Sequence, residues 1–289
     1  MLEHEDSAYY ALVEDAANHI DPEHLVTFGM NLGYNSCTWG AQRIRTNEAQ
    51  LGFNIPWTVF FLMEEPHCSQ HLPQYNRAVS EGEELGIYSW ILLSHSNLLE
   101  LLPLIEHHPD SAFFLFCCPE DISPAVLDEI TPLRHLMLVV RWGDQADEAC
   151  AMLRNARLPY SVYYPYSPDD LPFIRSGDLF CDTQQLHPLF TALAAKPDCP
   201  AEIQRQAHQA AEELRNGQNY KTVPWELCYD TRSLDEIISD DACCVLFDGQ
   251  GQLIALDNPG CAPFGCLFEE GLTSLIRRAY PKSPPASSL

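Results

Sequence analysis

The chain has 289 residues, of which 46% are hydrophobic and 20% are charged. That balance is typical of a globular protein with a sizeable core, and it excludes an intrinsically disordered chain. The 41 acidic residues outnumber the 16 basic ones and give a net charge of −25, which disfavours nucleic acids and anionic membrane surfaces as partners.

The negative charge has two interpretations: it keeps the protein soluble, or it forms an acidic face that binds a basic peptide or protein partner. No apolar run reaches the roughly 20 residues that span a bilayer. The first residues, MLEHEDSAYY, lack the pattern of a signal peptide. We therefore expect a cytoplasmic protein that binds no membrane. In that compartment we expect its twelve cysteines to be reduced. They would then act as metal ligands or pack as small buried side chains.

In chain order, an amphipathic helix over Ser7–His19 comes first, and short apolar runs then alternate with amphipathic stretches. The apolar runs lack polar alternation, which is typical of parallel strands covered on both faces. The predicted strands are His24–Leu32, Trp57–Met63, Ile87–Leu93, Ala112–Cys117, His135–Arg141, Tyr160–Tyr164 and Asp178–Cys181. The predicted helices between them are 70–85, 97–107, 124–131, 145–156, 168–175 and 184–195.

These elements predict an α/β fold, namely a partial (β/α)6 barrel of parallel strands, because a complete eight-unit barrel takes about 250 residues. A doubly wound open sheet is the alternative. After residue 197 the pattern changes to a polar helix at 200–216, a hairpin over Cys243–Leu256 and a helix near 269–280. The predicted domains are a barrel at 1–197, an extension at 198–280 and a disordered tail at 281–289.

Most short catalytic motifs are absent: the sequence contains no phosphate-binding loop, GxGxxG, GxSxG, HExxH or CxxC. One loose group remains at the predicted carboxyl ends of neighbouring strands, where barrel hydrolases bind metals. It comprises His67, His71, His95, Glu64 and Glu65. The alternative is that these histidines are exposed loop residues.

Three short motifs follow one another within residues 59–116: Met63-Glu64-Glu65-Pro66, Leu85-Gly86-Ile87 and Ser94-His95-Ser96. They resemble the Gly-Gly-Glu-Pro strand end, the Leu-Gly-Ile turn and the Thr-Asn strand end of radical S-adenosylmethionine (radical SAM) enzymes that modify peptides. Further along the chain, CVLFDGQGQLIAL and FGCLFEEGLTSLI resemble the hairpin and the ending of the SPASM or twitch extension that follows such barrels.

The resemblance implies a four-iron, four-sulfur cluster held by CxxxCxxC after the first strand, with S-adenosylmethionine on the open iron. Cys37 matches the first thiolate, but the next two ligand positions are Ala41 and Ile44, which cannot bind iron. Met63 and Glu64 replace the two glycines that approach the cofactor, whereas Glu65 keeps its place. The motif set is therefore degenerate, and Cys37 and Glu65 are vestigial cofactor-binding residues.

In the family's extension, cysteines ligate auxiliary iron–sulfur clusters. The resemblance therefore implies an auxiliary cluster or a zinc ion in the extension of this chain. Its ligands would be Cys228, Cys243, Cys261 and Cys266. The family's cysteine beyond the hairpin glycine is missing, because the stretch from Gln252 to Leu256 contains none. Because of this departure, we expect that these cysteines only pack and that the protein holds no cofactor; the auxiliary cluster or zinc ion is the alternative.

The sequence thus predicts a catalytically silent radical SAM-like protein that binds a peptide or protein partner in a peptide-modification system. Two other functions stay open. One is an active radical SAM enzyme with an unusual cluster. The other is a metal-dependent barrel hydrolase or isomerase that uses His67, His71, His95 and Glu65.

Overall fold

Nine strands pair in one sheet within the residues that the structure describes, which are 5–64, 67–95, 97–239, 241, 243–256 and 262–282. The structure is a computed structural model. The strands are β1 Thr58–Glu64, β2 Ser89–His95, β3 Ala112–Cys117, β4 Leu136–Arg141, β5 Tyr160–Tyr166, β6 Phe190–Ala195, β7 Val223–Glu226, β8 Val245–Phe247 and β9 Leu253–Ala255.

The helices fill most of the chain between the strands. The α-helices are α1 Tyr9–His19, α2 Pro22–Met30, α3 Ala41–Leu51, α4 His67–Gln70, α5 Leu72–Leu85, α6 Leu98–Glu106, α7 Pro124–Ile130, α8 Ala146–Asn155, α9 Leu171–Arg175, α10 Asp178–Thr183, α11 Ala201–Gly217, α12 Leu227–Ile238 and α13 Leu272–Ala279. A π-helix spans Asn31–Gly40. None of the described helices is long and apolar enough to cross a bilayer.

The strand order across the sheet is β7-β6-β5-β4-β3-β2-β1-β8-β9. From β1 to β7, each strand pairs in parallel with the next one in the chain. Within β1–β7 the order has no reversal, which puts each right-handed crossover on the same face, so the sheet curls beneath its helices. The fold is mixed α/β with a curled, mostly parallel half-barrel, whereas a doubly wound sheet would need a reversal of strand order. Eight neighbouring strands, from β7 to β8, are parallel, and seven of them, β1–β7, follow one another in the chain, one more than the predicted six units.

Successive side chains of each strand belong to two different apolar layers. Phe61 of β1 packs on the helix-facing side, where its ring stacks on that of Trp90 at a centroid distance of 5.6 Å. Phe60 of β1 and Phe116 of β3 belong to a separate cluster on the concave side. The strands are thus buried on both faces, in agreement with their unbroken apolar runs.

The segment before β1 is helical, so the predicted strand His24–Leu32 is wrong. Asp21 caps α2, because its carboxylate accepts hydrogen bonds from the amides of Glu23 and His24. Pro22 occupies the first turn, where its missing N–H costs nothing. A short apolar run does not distinguish a buried strand from a buried helix, and here the capping signals before the run decide for the helix.

The π-helix and α3 continue directly from α2. Asn31, at the start of the π-helix, donates hydrogen bonds to the carbonyls of Pro109 (2.8 Å) and Ser111 (2.9 Å). Those two residues precede β3, so the N-terminal helical segment is fixed at the amino end of the sheet.

Two further predictions around the sixth strand are wrong. Residues 178–181 belong to α10 rather than to a strand, and the predicted helix 184–195 contains β6. The stretch Phe190–Ala195 is rich in helix-forming alanine, but it pairs with β5 on one side and with β7 on the other. Tertiary pairing overrides local propensity here. Neither β7 nor α12 is among the elements predicted from the sequence.

The predicted hairpin near the C-terminus is confirmed, because β9 pairs antiparallel with β8. β8 itself pairs in parallel with β1, with Val245 opposite Val59. The division near residue 197 stays a prediction, although β7, β8 and β9 all belong to the same sheet as β1–β6. In the predicted disordered tail, Pro281 bridges to Phe53, and residues 283–289 lie outside the described part.

A buried carboxylate joins the starts of two neighbouring strands. Asp235 of α12 is 1% exposed, and its oxygens accept hydrogen bonds from the amides of Trp57 and Cys243, each at 2.6 Å. Trp57 directly precedes β1, and Cys243 lies two residues before β8. Asp235 thus fixes the starts of β1 and β8 next to each other.

We expect Asp235→Asn to lower the free energy of unfolding by about 1–3 kcal/mol, because an amide NH2 replaces one acceptor oxygen and leaves a buried N–H unpaired. Urea unfolding measures the loss. Asp128→Asn, the same change at an exposed position of α7, is the control and should stay within about 0.5 kcal/mol of wild type. Equal stability of the two variants would contradict the role of Asp235.

Candidate functional site

The carboxyl ends of β1 and β8 meet at one polar edge of the half-barrel. We call this edge the β1–β8 mouth; it comprises Glu64, His71, Tyr75, Asp248 and Phe268. Glu64 is the exposed last residue of β1. Its carboxylate lies against the turn after β8, so that a side chain at Gly249 would clash with Glu64 Oε2. A glycine at 249 therefore allows this close approach.

Asp248 organises the turn between β8 and β9. Its Oδ1 accepts hydrogen bonds from the amides of Gln250 (2.9 Å) and Gln252 (2.8 Å), and its own N–H donates to the carbonyl of Gln252 at 3.0 Å. Gly251 adopts a positive φ of 74°, which a residue with a side chain rarely adopts. The turn predicted from the sequence is thus the element that brings a second carboxylate to the mouth.

Tyr75 of α5 brings a buried phenol to the mouth. It is 0% exposed, and its hydroxyl has no hydrogen-bond partner among the described residues. Burial raises the pKa of Tyr75 far above its usual range, and the nearby Cys68 and Asp248 raise it further. The phenol therefore stays protonated and keeps a free hydrogen-bond donor.

The imidazole of His71 stacks on the ring of Phe268, with centroids 3.8 Å apart and planes 8° apart. Its Nδ1 is buried and, within the described residues, has no hydrogen-bond partner. The mouth thus holds two unpaired polar atoms, on His71 and Tyr75, beside the carboxylate of Glu64. Such a set can bind a ligand that carries hydrogen-bonding groups and positive charge.

A second cluster lies at the carboxyl end of β5 and β7. Glu226 ends β7, is 0% exposed, and accepts hydrogen bonds from the hydroxyl of Tyr166 (2.9 Å) and the amide of Tyr229 (2.7 Å). Burial raises the pKa of Glu226 to about 7. Next to it, Asp230 forms a bidentate ion pair with Arg215 at 2.8 and 2.9 Å. A carboxyl group with this pKa takes up and releases protons near neutral pH.

The residues at the predicted cluster positions lie on two consecutive helices. Cys37 is exposed on the π-helix, and no strand precedes it in the described chain. Ala41 and Ile44 lie on α3 and are 3% and 0% exposed within the main core. The three positions therefore do not form a loop after a strand.

The cysteines predicted as metal ligands lie on different elements. Cys228 is half-buried in the first turn of α12, whereas Cys243 is buried before β8. The thiol of Cys266 is 3.4 Å from the carbonyl oxygen of Gln250 at the mouth. Cys261 lies outside the described residues. Within the described part of the chain, no three His, Cys, Asp or Glu side chains are placed to hold a metal ion, and the auxiliary metal site stays a prediction.

The loose histidine group is partly brought together. The rings of His67 and His71 are 6.2 Å apart, both at or beside α4. His95 ends β2 opposite Glu64 in the parallel register. The side chain of His95 and all of Glu65 lie outside the described part.

Comparisons with known proteins find similarity in structure. No family model matches the chain, and no curated protein matches it. SuiB of Streptococcus suis, bound to S-adenosylmethionine, superposes with a TM-score of 0.57 at 9% identity, over 81% of this chain and 66% of that one. The native protein anSMEcpe with bound AdoMet superposes with a TM-score of 0.50 at 8% identity, over 75% of this chain and 80% of that one. These neighbours are radical SAM enzymes.

The chain has a radical SAM-like fold. The low identities limit the similarity to the fold, and the chain spans less than two thirds of the SuiB chain. In this radical SAM-like fold, the neighbour of β1 on the side away from β2 is β8, a strand from the C-terminal part of the chain. The segment that resembles the cluster loop is helical instead.

A three-thiolate cluster at residues 37, 41 and 44 does not fit these residues, because two of the three side chains are buried aliphatic groups. At the end of β1, Met63 packs in the core on the helix-facing side and is 0% exposed, so it does not crowd the concave side. Glu64 does face the turn after β8. Of the two residues at the predicted Gly-Gly positions, Met63 therefore packs in the core and Glu64 brings a carboxylate to the mouth.

Several residues of these two clusters are not among the site residues predicted from the sequence. By its sequence pattern, Tyr75 is an ordinary core residue of an amphipathic helix, and Phe268 is an ordinary apolar residue of a turn. Only the fold brings these two side chains beside Asp248. Glu226 is the last residue of a four-residue strand, β7, whose apolar run is too short to be recognised. Glu226 is the N-cap of α12 and Asp230 lies in its first turn, where acidic residues are common and do not indicate a buried cluster.

We expect the protein to become less stable as the pH rises, because of Glu226. Its raised pKa means that the folded state binds the proton more tightly than the unfolded state, so stability is lost as pH rises from about 4.5 to about 7. Relative to Glu226→Gln, wild type should lose about 3 kcal/mol of unfolding free energy over that interval.

Denaturant unfolding of both proteins between pH 4 and pH 8 measures this difference. Glu213→Gln, the same change at an exposed position of α11, is the control and should track wild type at every pH. A constant difference between wild type and Glu226→Gln would show that Glu226 does not titrate in this range.

Proposed function

We propose that the chain is a catalytically silent relative of the radical SAM peptide-modifying enzymes that binds a peptide or protein partner in a peptide-modification system. The observation that carries the proposal is the burial of Ala41 and Ile44 in the core on α3. A cluster loop at this place would need two thiolates from positions that are apolar packing side chains. Cys37 alone is too few ligands for a four-iron cluster.

The charge of the mouth supports a basic peptide as ligand. The chain carries a net charge of −25, and the mouth adds the carboxylates of Glu64 and Asp248 next to the unpaired polar atoms of His71 and Tyr75. A complementary charge accelerates the encounter with a basic segment and disfavours acidic competitors. Glu65 follows Glu64 in the sequence, and the proposal keeps it as a vestigial cofactor-binding residue.

An apolar surface on the N-terminal helical segment supports a protein partner. Of the ten large hydrophobic residues that are exposed in the described chain, eight fall in this segment. We call them the N-terminal apolar surface: Tyr10, Val13, Leu25, Val26, Met30, Tyr34, Trp39 and Leu51. The proposal is that a protein partner covers these side chains, since large exposed apolar patches mark interaction sites.

An active radical SAM enzyme with an unusual cluster is the second candidate. The structural neighbours favour it, because SuiB and anSMEcpe are enzymes with S-adenosylmethionine bound. The predicted auxiliary cluster or zinc ion belongs with this candidate. Its ligands would be Cys228, Cys243, Cys261 and Cys266. The metal-dependent hydrolase or isomerase remains the third candidate, and metal analysis separates it from a binding protein.

We expect the purified protein to stay colourless after anaerobic reconstitution with iron and sulfide, and to leave S-adenosylmethionine uncleaved. Iron and zinc analysis, the visible absorbance spectrum and the yield of 5′-deoxyadenosine measure this. A brown protein with about four irons per chain would overturn the expectation of no cofactor, and cleavage of S-adenosylmethionine would overturn the silent function. Loss of that iron in Cys261→Ser and Cys266→Ser, but not in Cys37→Ser, would assign the cluster to the extension.

We expect the double variant Val26→Glu/Met30→Glu to lose its protein partner, because two charges are placed on α2 side chains that are 63% and 51% exposed. The partner is captured from the native host, identified by mass spectrometry, and its affinity for each variant is then measured with purified proteins. At least a tenfold loss is the expected result.

Ile237→Glu is the matched control, because Ile237 is 70% exposed on α12 and outside the N-terminal apolar surface. It should bind like wild type. A wild-type protein that stays monomeric and captures nothing specific would count against the binding function. Equal losses in both variants would exclude this surface as the binding site.

A further inference from the structure

A cavity of about 230 Å³ lies on the concave side of the sheet, near the amino ends of the strands. The sheet contributes inner-face side chains to its wall, among them Ile91, Phe114 and Met137. Phe28 of α2 and Leu234 of α12 line the opposite side. This cavity is distinct from the β1–β8 mouth, since none of its lining residues belongs to the mouth.

The cavity has a route to solvent between the π-helix and α12. Leu32 of the π-helix and Leu234 of α12 line it and are half-buried. Cys37 borders it as well and is exposed. A small molecule can therefore enter without opening the sheet.

Two buried polar groups in the lining have no hydrogen-bond partner among the described residues. Ser89 is 0% exposed and its Oγ is unpaired. Trp57 is 6% exposed, and its indole N–H has only the weakly accepting Cys37 thiol as a neighbour. A buried polar group without a partner costs about 1–3 kcal/mol. A ligand oxygen that paired with Ser89 and Trp57 would remove this cost.

The chemistry of the lining excludes most other occupants. It contains no Lys, Arg, His, Asp or Glu, so a charged ligand would lose its hydration without compensation. The remaining hydroxyl, that of Thr231, already donates to the carbonyl of Leu227 at 2.6 Å. A water cluster needs several polar partners per molecule, which this largely apolar wall does not offer.

We propose that the cavity binds a small, neutral, mostly apolar molecule that carries a single hydroxyl or carbonyl oxygen, held by Ser89 and Trp57. An apolar cavity of about 150 Å³ suffices for benzene, so a substituted single ring or a short branched alcohol matches the volume found here. This binding site does not depend on the partner-binding function proposed above.

The test uses two probes of the same shape, p-cresol and p-xylene, on the full chain. Isothermal titration calorimetry and ligand-observed NMR measure both affinities for wild type and for Ser89→Ala. Both probes should bind wild type. Removal of the Ser89 hydroxyl should weaken p-cresol by about fivefold to tenfold, because one hydrogen bond is lost, and should leave p-xylene within twofold.

Three further variants make the test specific. Thr183→Val removes a buried hydroxyl of α10 whose partner, Thr191, also lies outside the cavity lining, and it should change neither affinity. Ile91→Phe and Leu234→Phe fill the cavity from opposite walls, and near-UV circular dichroism identifies which of them folds. Every folded filler variant should lose both probes.

Three results would overturn the proposal. The first is no binding of either probe to wild type at millimolar concentration. The second is an equal loss of both probes in Ser89→Ala, which would assign the loss to structural damage rather than to the hydroxyl. The third is undiminished binding to a folded filler variant.

Discussion

The pairing of β8 with β1 is the constraint on which the rest of the structure depends. Without β8, one side of β1 would present unpaired backbone groups at the edge of a parallel sheet. β8 has only three residues, Val245–Phe247, so its position needs support from outside the ladder. The carboxylate of Asp235 supplies this support by binding the amides just before both strands. The turn after β8 is thereby delivered to the end of β1, and this contact creates the β1–β8 mouth.

Much of the sheet could be predicted from the sequence, because five of its parallel strands are continuous apolar runs with amphipathic helices between them. The failures have physical reasons. At 24–32 the run HLVTFGMNL is equally compatible with a buried helix, and the Asp21–Pro22 capping signal settles the conformation. At 190–195 the local preference of FTALAA is helical, and only pairing with β5 and β7 makes it a strand. The short β7 becomes recognisable only through its neighbour β6.

In the candidate site, too, some features could be predicted from local sequence signals and others could not. Sequence comparison with a motif identifies which side chains are missing at 41 and 44, but only the packing reveals that α3 needs them apolar. Tyr75 and Asp248 are far apart in the chain, so their meeting depends on β8 joining β1. The raised pKa of Glu226 is likewise a property of burial, and a sequence pattern does not contain it. Local signals thus predicted the turn that carries Asp248 but not the residues that it meets.

The N-terminal helical segment links the cavity to the proposed partner surface, because α2 has two apolar sides. Phe28 is 6% exposed and lines the cavity, whereas Val26 and Met30 belong to the N-terminal apolar surface. A molecule in the cavity and a protein on that surface would therefore contact opposite sides of one nine-residue helix. If either occupant orders α2, it reduces the ordering cost that the other must meet, and linkage requires the effect to be equal in both directions. If both proposed sites are occupied as argued, helices that cover the amino end of the half-barrel would couple them, which a complete barrel with a side-chain-filled interior could not do in this way.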